Sequence, residues 1–231
     1  MYPYFIWNDR DSDEMGLWLS QYPDRVRAAD RLTKVAVPGR AGRLTISEGP
    51  NIYEPISLYV RVQCKTDIDL ERLNDWLSGE GILVFGYEPN RCYKARIEDE
   101  VAFAKHSNDL LEGSIRFECE PFKRLYPPEP KITLTAAGTV MNKGTVRAFP
   151  VIKITGSGDI TLTCNSDTVT ITDVDTSVTL DSGARIALDK DGENFLEKTS
   201  GMFPKLERGE NSISWTGTVT SVEIQRNQRW K

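Results

Sequence analysis

The sequence holds a single histidine, His106, and four cysteines in 231 residues. A serine-histidine triad, a two-histidine metal site or a histidine proton relay would have to rest on that one imidazole. It sits in Lys105-His106-Ser107-Asn108-Asp109, which reads as a polar loop. Cys64, Cys92, Cys119 and Cys164 include no C-x-x-C pair able to grip zinc or form a redox dithiol. Val62-Gln63-Cys64, Phe117-Glu118-Cys119 and Leu162-Thr163-Cys164 are β-type contexts, so reduced core thiols are expected. No uninterrupted apolar run exceeds four residues, Ile82 to Phe85 being one, whereas a membrane-spanning helix needs about 20; membrane insertion is not expected. Met1-Tyr2-Pro3-Tyr4-Phe5-Ile6-Trp7 lacks the basic residues and longer apolar core of a secretory leader, so the chain is expected to stay where it is made. Positive charge is also in short supply: 29 Lys and Arg face 34 Asp and Glu, a net charge of -5. The first 127 residues carry 17 basic and 21 acidic side chains and the remainder 12 and 13. Neither half is a basic module with a general attraction for phosphate backbones.

Motifs for chemistry are equally scarce. Gly156-Ser157-Gly158 lacks the third glycine, the lysine and the following helix of a phosphate cradle, and reads as a hairpin turn. Asp9, Asp11, Asp13 and Glu14 lack the glycine and distal bidentate glutamate of an EF-hand loop, and read as a solvated turn. Asp189-Lys190-Asp191-Gly192-Glu193 reads as a turn and Glu98-Asp99-Glu100 as a charged loop. No catalytic, cofactor-binding or metal-binding residue is assigned, and no cofactor is expected.

What the sequence has in quantity is β patterning. The expectation is a mainly β protein: a β-sandwich with one α-helix and a protruding hairpin, followed by a second β-sandwich. Pro127-Pro128-Glu129-Pro130 breaks any regular element and Asn142-Lys143-Gly144 supplies a turn. The boundaries therefore read as a first domain over 1–127, a linker and first strand over 128–150, and a second domain over 151–231. In the second, apolar residues recur two apart at Ile132/Leu134, Ile152/Ile154, Ile160/Leu162/Cys164, Val169/Ile171, Val178/Leu180, Ile186/Leu188, Ile213/Trp215 and Val222/Ile224. That is the period of strands with one wet face, and it puts Trp215 in the core. Trp230 is expected either to close this sandwich or to lie on a partner.

The first domain offers one helix at about 69–78. Asp69 is placed to cap it, Ile68 and Leu73 to form a staple, and Leu70, Leu73 and Leu77 to share one face; Gly79 and Gly81 stop it. Strands are expected at 4–7, 31–37, 44–47, 57–62, 82–87, 93–97 and 113–119. The stretch at about 38–55 differs. Gly39, Gly42, Gly49, Pro50 and Pro55 punctuate a polar hairpin with few apolar residues to bury against its own domain. Such an arm commonly needs a neighbour to lie on.

An ordered series of motifs resembles the distal tail protein (Dit) family of long, non-contractile-tailed bacteriophages and prophages. In the first half these are Phe5-Ile6-Trp7-Asn8, Val37-Pro38-Gly39-Arg40-Ala41-Gly42-Arg43-Leu44, Trp76-Leu77 and Phe117-Glu118-Cys119-Glu120-Pro121-Phe122. In the second they are Asn142-Lys143-Gly144, Ala148 to Gly158, Phe203 to Asn211, and Arg229-Trp230. One departure stands out: the family's Gly-Arg-Asp-Gly turn is Gly39-Arg40-Ala41-Gly42 here, which takes away any role for an acidic side chain at Ala41.

The resemblance implies a homo-hexameric ring at the tail tip or baseplate of a virion, built by the first domain, with a galectin-like second domain projecting outward. It further implies contacts with the tail tube protein and the tail-associated, tail-lysin-like hub protein, a docking platform for the host-adsorption apparatus that includes a receptor-binding protein, and a central channel through which genome DNA passes without specific binding. Assembly would take place in the host cytoplasm. The length leaves no room for the large inserted carbohydrate-binding domain or the long arm of bigger relatives. Ring closure requires heterologous contacts, and the candidate interface residues are Pro38, Gly39, Arg40, Gly42, Arg43, Leu44 and Tyr53. The competing expectation is a carbohydrate-binding, lectin-like module for the bacterial cell wall. Against it, the second half has no histidine and lacks the clustered His, Asn, Arg and Trp residues with which galectins hold galactose. A wall-degrading hydrolase would need an acid and a nucleophile that the sequence does not offer.

Overall fold

The computed structural model describes residues 3–49 and 52–231. Met1, Tyr2, Pro50 and Asn51, which the readings of the leader and the hairpin include, lie outside the described residues. The chain forms two compact units, residues 1–127 with Lys231, and residues 128–230.

In the first unit, strands β1 (Phe5–Trp7), β2 (Arg10–Asp11), β3 (Trp18–Gln21), β4 (Leu32–Ala36), β5 (Arg43–Ser47) and β6 (Ile56–Lys65) precede helix α1 (Leu70–Trp76). Strands β7 (Gly79–Phe85), β8 (Arg91–Ile97), β9 (Phe103–Lys105), β10 (Leu110–Cys119) and β11 (Arg124–Leu125) follow it. A nine-stranded sheet runs in the order β2-β1-β7-β8-β10-β6-β3, with β9 added to β10 and β11 to β8. Strict alternation drives its longest ladder. Ile56, Leu58, Val60, Val62 and Cys64 of β6 face inward, and each lies opposite an inward residue of β10: Cys119, Phe117, Ile115, Gly113 and Leu111. Full burial of each large apolar side chain here is worth roughly 1.5–3 kcal/mol.

Asp69 caps α1 as its sequence position predicts, its carboxylate accepting the Arg72 amide at 3.1 Å. Leu73 and Leu77 are buried, but Leu70 is exposed and Trp76 takes the inner face instead. In a helix of only seven residues the buried stripe is fixed by what packs against its last turn.

The second unit contains β12 (Ile132–Leu134), β13 (Gly138–Asn142), β14 (Val151–Cys164), β15 (Asp167–Val174), β16 (Ser177–Asp181), β17 (Ile186–Leu188), a 3-10 turn (Leu196–Lys198), β18 (Thr199–Gly201) and β19 (Gly209–Gln225). Strands β14 and β19, of 14 and 17 residues, pair along most of their length and bend together. The first half of β14 also pairs with β16, and its second half with β15. The start of β19 takes β13 on its outer edge, and its end takes β12. Two layers thus share two continuous strands, and Ile152, Ile154, Ile160, Leu162, Ile171, Leu180, Ile213 and Ile224 close one core.

The bend corrects one sequence expectation. Gly156-Ser157-Gly158 is no hairpin turn; it lies within β14, where the register against β19 shifts. A Cβ on Gly156 would stand 2.3 Å from the Thr218 carbonyl oxygen, and one on Gly217, at φ +100°, would stand 2.3 Å from that of Asp159. Glycine at both positions lets the two backbones cross closely at a bulge. A second correction concerns β17: Ala187, not Ile186, is buried. Trp215 is partly buried against the core rather than enclosed by it.

Candidate assembly interface

Strands β4 and β5 pair only with each other among the described residues. Their register sets Leu32 opposite Ser47, Thr33 opposite Ile46, Lys34 opposite Thr45, Val35 opposite Leu44 and Ala36 opposite Arg43. Because opposed residues share a face, one side carries Thr33, Val35, Leu44 and Ile46, and the other carries Leu32, Lys34, Ala36, Arg43, Thr45 and Ser47. The hairpin therefore begins earlier than the 38–55 stretch expected, and it is amphipathic rather than simply polar. Every residue from 32 to 48 is exposed, including Val35, Leu44 and Ile46 at 40%, 37% and 48%. A lone two-stranded hairpin is only marginally stable in water, and apolar clusters left in solvent mark interaction sites.

The foot of this arm is tied down. The Arg31 amide donates to the Ile52 carbonyl at 3.1 Å and the Glu54 amide to the Ala29 carbonyl at 2.9 Å, while Arg31 and Glu54 pair at 3.4 Å. Tyr53 sits at this foot, partly buried, edge-on to Phe122 with centroids 5.4 Å apart. The sequence-predicted interface residues thus separate. Pro38, Gly39, Arg40 and Gly42 form the tip, with both glycines at positive φ and open space around them. Arg43 and Leu44 lie on opposite faces of the arm, and Tyr53 anchors its root. Lys34, Val35 and Ile46 complete the two faces and were not among the expected residues. The alternation in Thr33-Lys34-Val35 and Leu44-Thr45-Ile46 is the signal that marks them.

Polar motif residues of the second unit serve its interior. The Asn211 side chain is fully buried: its Nδ2 lies 2.9–3.3 Å from the Glu207, Gly209 and Val140 carbonyls, and its Oδ1 accepts from the Glu207 amide and Asn165 Nδ2. Asn142 donates to the Val146 and Leu206 carbonyls and accepts from the Gly144 amide. Arg229 lies over the Phe149 ring, 4.7 Å from its centroid, and donates to the Arg147 carbonyl. A half-open cleft of about 210 Å3 in this unit is lined by Phe149, Ser182, Arg185, Met202 and Phe203, among others.

The remaining candidates have local roles. His106 turns the chain between β9 and β10 and stands 3.2 Å from Glu112. Asp11 accepts from the Asp13 amide, Asp9 accepts from the Tyr126 hydroxyl, and burial, with Asp11 nearby, pushes the Asp13 carboxyl up. Asp99 pairs with Arg116 at 3.1 Å. All four cysteines are free and buried; desolvation pushes the Cys119 thiol up to about 12 and that of Cys164 to about 11. No helix among the described residues is long and apolar enough to cross a membrane.

No family model and no curated protein matches the sequence. The fold, in contrast, matches that of the SPP1 Dit (gp 19.1) protein, whose crystal structure is described as a paradigm of hub adsorption apparatus in Gram-positive infecting phages. The TM-score is 0.72 at 15% identity, covering 97% of this chain and 99% of that chain. The chain therefore has a Dit-like, mainly β fold along nearly its whole length.

Proposed function

We propose that this chain is a structural, non-enzymatic component of a bacteriophage tail tip or baseplate. It assembles in the host cytoplasm as a hexameric ring that joins the tail tube to the tail-associated hub protein. The first unit builds the ring, and the second, galectin-like unit faces outward as a platform for the adsorption apparatus and its receptor-binding protein. The observation that carries this reading is the shared fold with a hub adsorption protein over both units. The exposed arm adds a physical means, because a projecting element that meets a different surface of the next subunit is what a closed ring needs.

Light scattering across a concentration series, followed by negative-stain microscopy of the high-mass species, tests the ring. Replacing residues 32–47 with a short linker is expected to leave folded monomers; rings persisting in that variant would refute the arm's part in assembly. The acidic balance of the first unit supports a bore that lets DNA slide past without sticking. A solved ring whose bore is lined by Lys and Arg would end that idea.

The lectin reading draws on the cleft between Phe149 and Phe203, since aromatic rings can stack on sugars. Arg229 already occupies one face of Phe149. A glycan array with the whole chain separates the two readings.

A further inference from the structure

Among the described residues, the cleft of about 210 Å3 in the second unit is lined by two cations, Arg185 and Lys205, and by no carboxylate. Pockets for drug-sized ligands begin at about 300 Å3, so this one fits a single small group. The turn after β16 places Arg185. Asp181 Oδ1 accepts the Gly183 and Ala184 amides at 2.8 and 3.0 Å, and Arg185 then takes a φ of +57°, which side chains rarely adopt. Its guanidinium is exposed and makes no ion pair or hydrogen bond among the described residues. The other charges adjoining the cleft are matched. Lys205 stands 3.7 Å from Asp167 and Arg147 3.6 Å from Glu207, while Arg229 lies over the Phe149 ring. Arg185, Lys205, Arg147 and Arg229 thus meet only Asp167, Asp181 and Glu207, an excess of one positive charge. Beneath them, Ser182 is 4% exposed, and its buried hydroxyl has no hydrogen-bond partner. Such a group carries a cost that a ligand's acceptor removes. The walls are apolar: Phe149, Phe203 and the exposed thioether of Met202, which is flexible enough to yield to a ligand that settles on Ser182.

We propose that this cleft binds a singly charged oxyanion carried on a sugar or polyol. The fork of Arg185 takes two of its oxygens, the Ser182 hydroxyl donates from below, and the carbon skeleton lies against Phe203 and Met202. One excess positive charge suits one negative charge, whereas a neutral sugar leaves Arg185 unmatched. Sugar acids and phosphodiesters share this chemistry, and the test separates them. The inference narrows the lectin reading above from neutral to anionic ligands. It does not rest on the ring, because one subunit holds the whole cleft.

Calorimetric titration of the full chain at low salt provides the test, with methyl glucuronide, glycerophosphoglycerol and the neutral methyl glucoside as probes. At least one of the two anions is expected to bind with a Kd of about 1 mM or tighter, and the glucoside at least about tenfold more weakly. Binding by the glucuronide alone assigns the site to sugar acids, and by the diester alone to phosphodiesters. Arg185→Gln, checked for folding by circular dichroism, should weaken the bound anion by about tenfold or more, and Arg185→Lys by less, since it keeps the charge but not the fork. Ser182→Ala should weaken it by about threefold without lowering Tm, because the hydroxyl has no partner to lose. A glucoside that binds as tightly as the glucuronide overturns the oxyanion site and leaves the lectin reading standing. An anion whose binding Arg185→Gln does not change sits elsewhere, which also overturns it. If neither anion binds at about 10 mM, the proposal fails, and the ring reading is untouched.

Discussion

Trp7 and Trp76 exchange hydrogen bonds: each indole Nε1 donates to the other's backbone carbonyl at 3.0 Å. Trp76 is the last residue of α1, so its carbonyl is one that the helix itself leaves unpaired. Phe5 stacks on the Trp76 ring at 5.6 Å, and Phe117 packs against both Phe5 and Trp7. The helix is thereby tied to the first strand by polar bonds inside an aromatic core. Trp7→Phe keeps an aromatic ring but orphans the Trp76 carbonyl. Urea unfolding followed by fluorescence should show a loss of about 1–3 kcal/mol, plus a further cost from the smaller ring.

The two glycines of β14 should behave differently. Gly156→Ala places a Cβ against the Thr218 carbonyl, which belongs to a paired strand and cannot move away cheaply. Gly158→Ala meets nothing within 4 Å, although its φ of +74° costs about 1 kcal/mol. Thermal unfolding should therefore place Gly156→Ala well below Gly158→Ala, despite their separation by one residue.

Asn211 predicts a large effect from a small change. Asn211→Asp retains the acceptors but cannot donate to the Glu207, Gly209 and Val140 carbonyls, and it buries a charge. A loss of about 3 kcal/mol or more is expected by denaturant unfolding.

The buried thiols set a pH dependence. Folding holds Cys119 and Cys164 neutral up to about 12 and about 11, whereas the unfolded chain releases their protons near 9. Below that value the groups are neutral in both states and their contribution is intact. Above it the unfolded state binds fewer protons, so stability falls as pH rises through the window from about 9 to about 12. Urea midpoints measured from pH 8 to 10.5 should decline, and Cys119→Ala with Cys164→Ala should flatten the decline. At pH 8, the parent's four thiols should react with a disulfide reagent only on unfolding.

Alternation made the long elements readable. Ile115, Phe117 and Cys119 announce β10, and Asp69 announces the start of α1. Some short strands escaped: β2, β3, β9 and β11 have two to four residues without an apolar alternation, and each pairs with a neighbouring strand. The glycines at 156 and 158 escaped for another reason, since turn composition and a bulge inside a strand use the same residues. Within the arm, Gly39, Gly42 and Leu44 were legible. The alternation that puts Val35 and Ile46 on one face is also in the sequence, but the exposure of that face is not, because which side of a hairpin is bare depends on what the rest of the chain fails to cover.

Because β14 and β19 run unbroken from one layer of the second unit into the other, the layers are welded along the main chain as well as packed through side chains. Tension applied to one layer passes into the other along covalent backbone, and the layers cannot peel apart unless two strands tear.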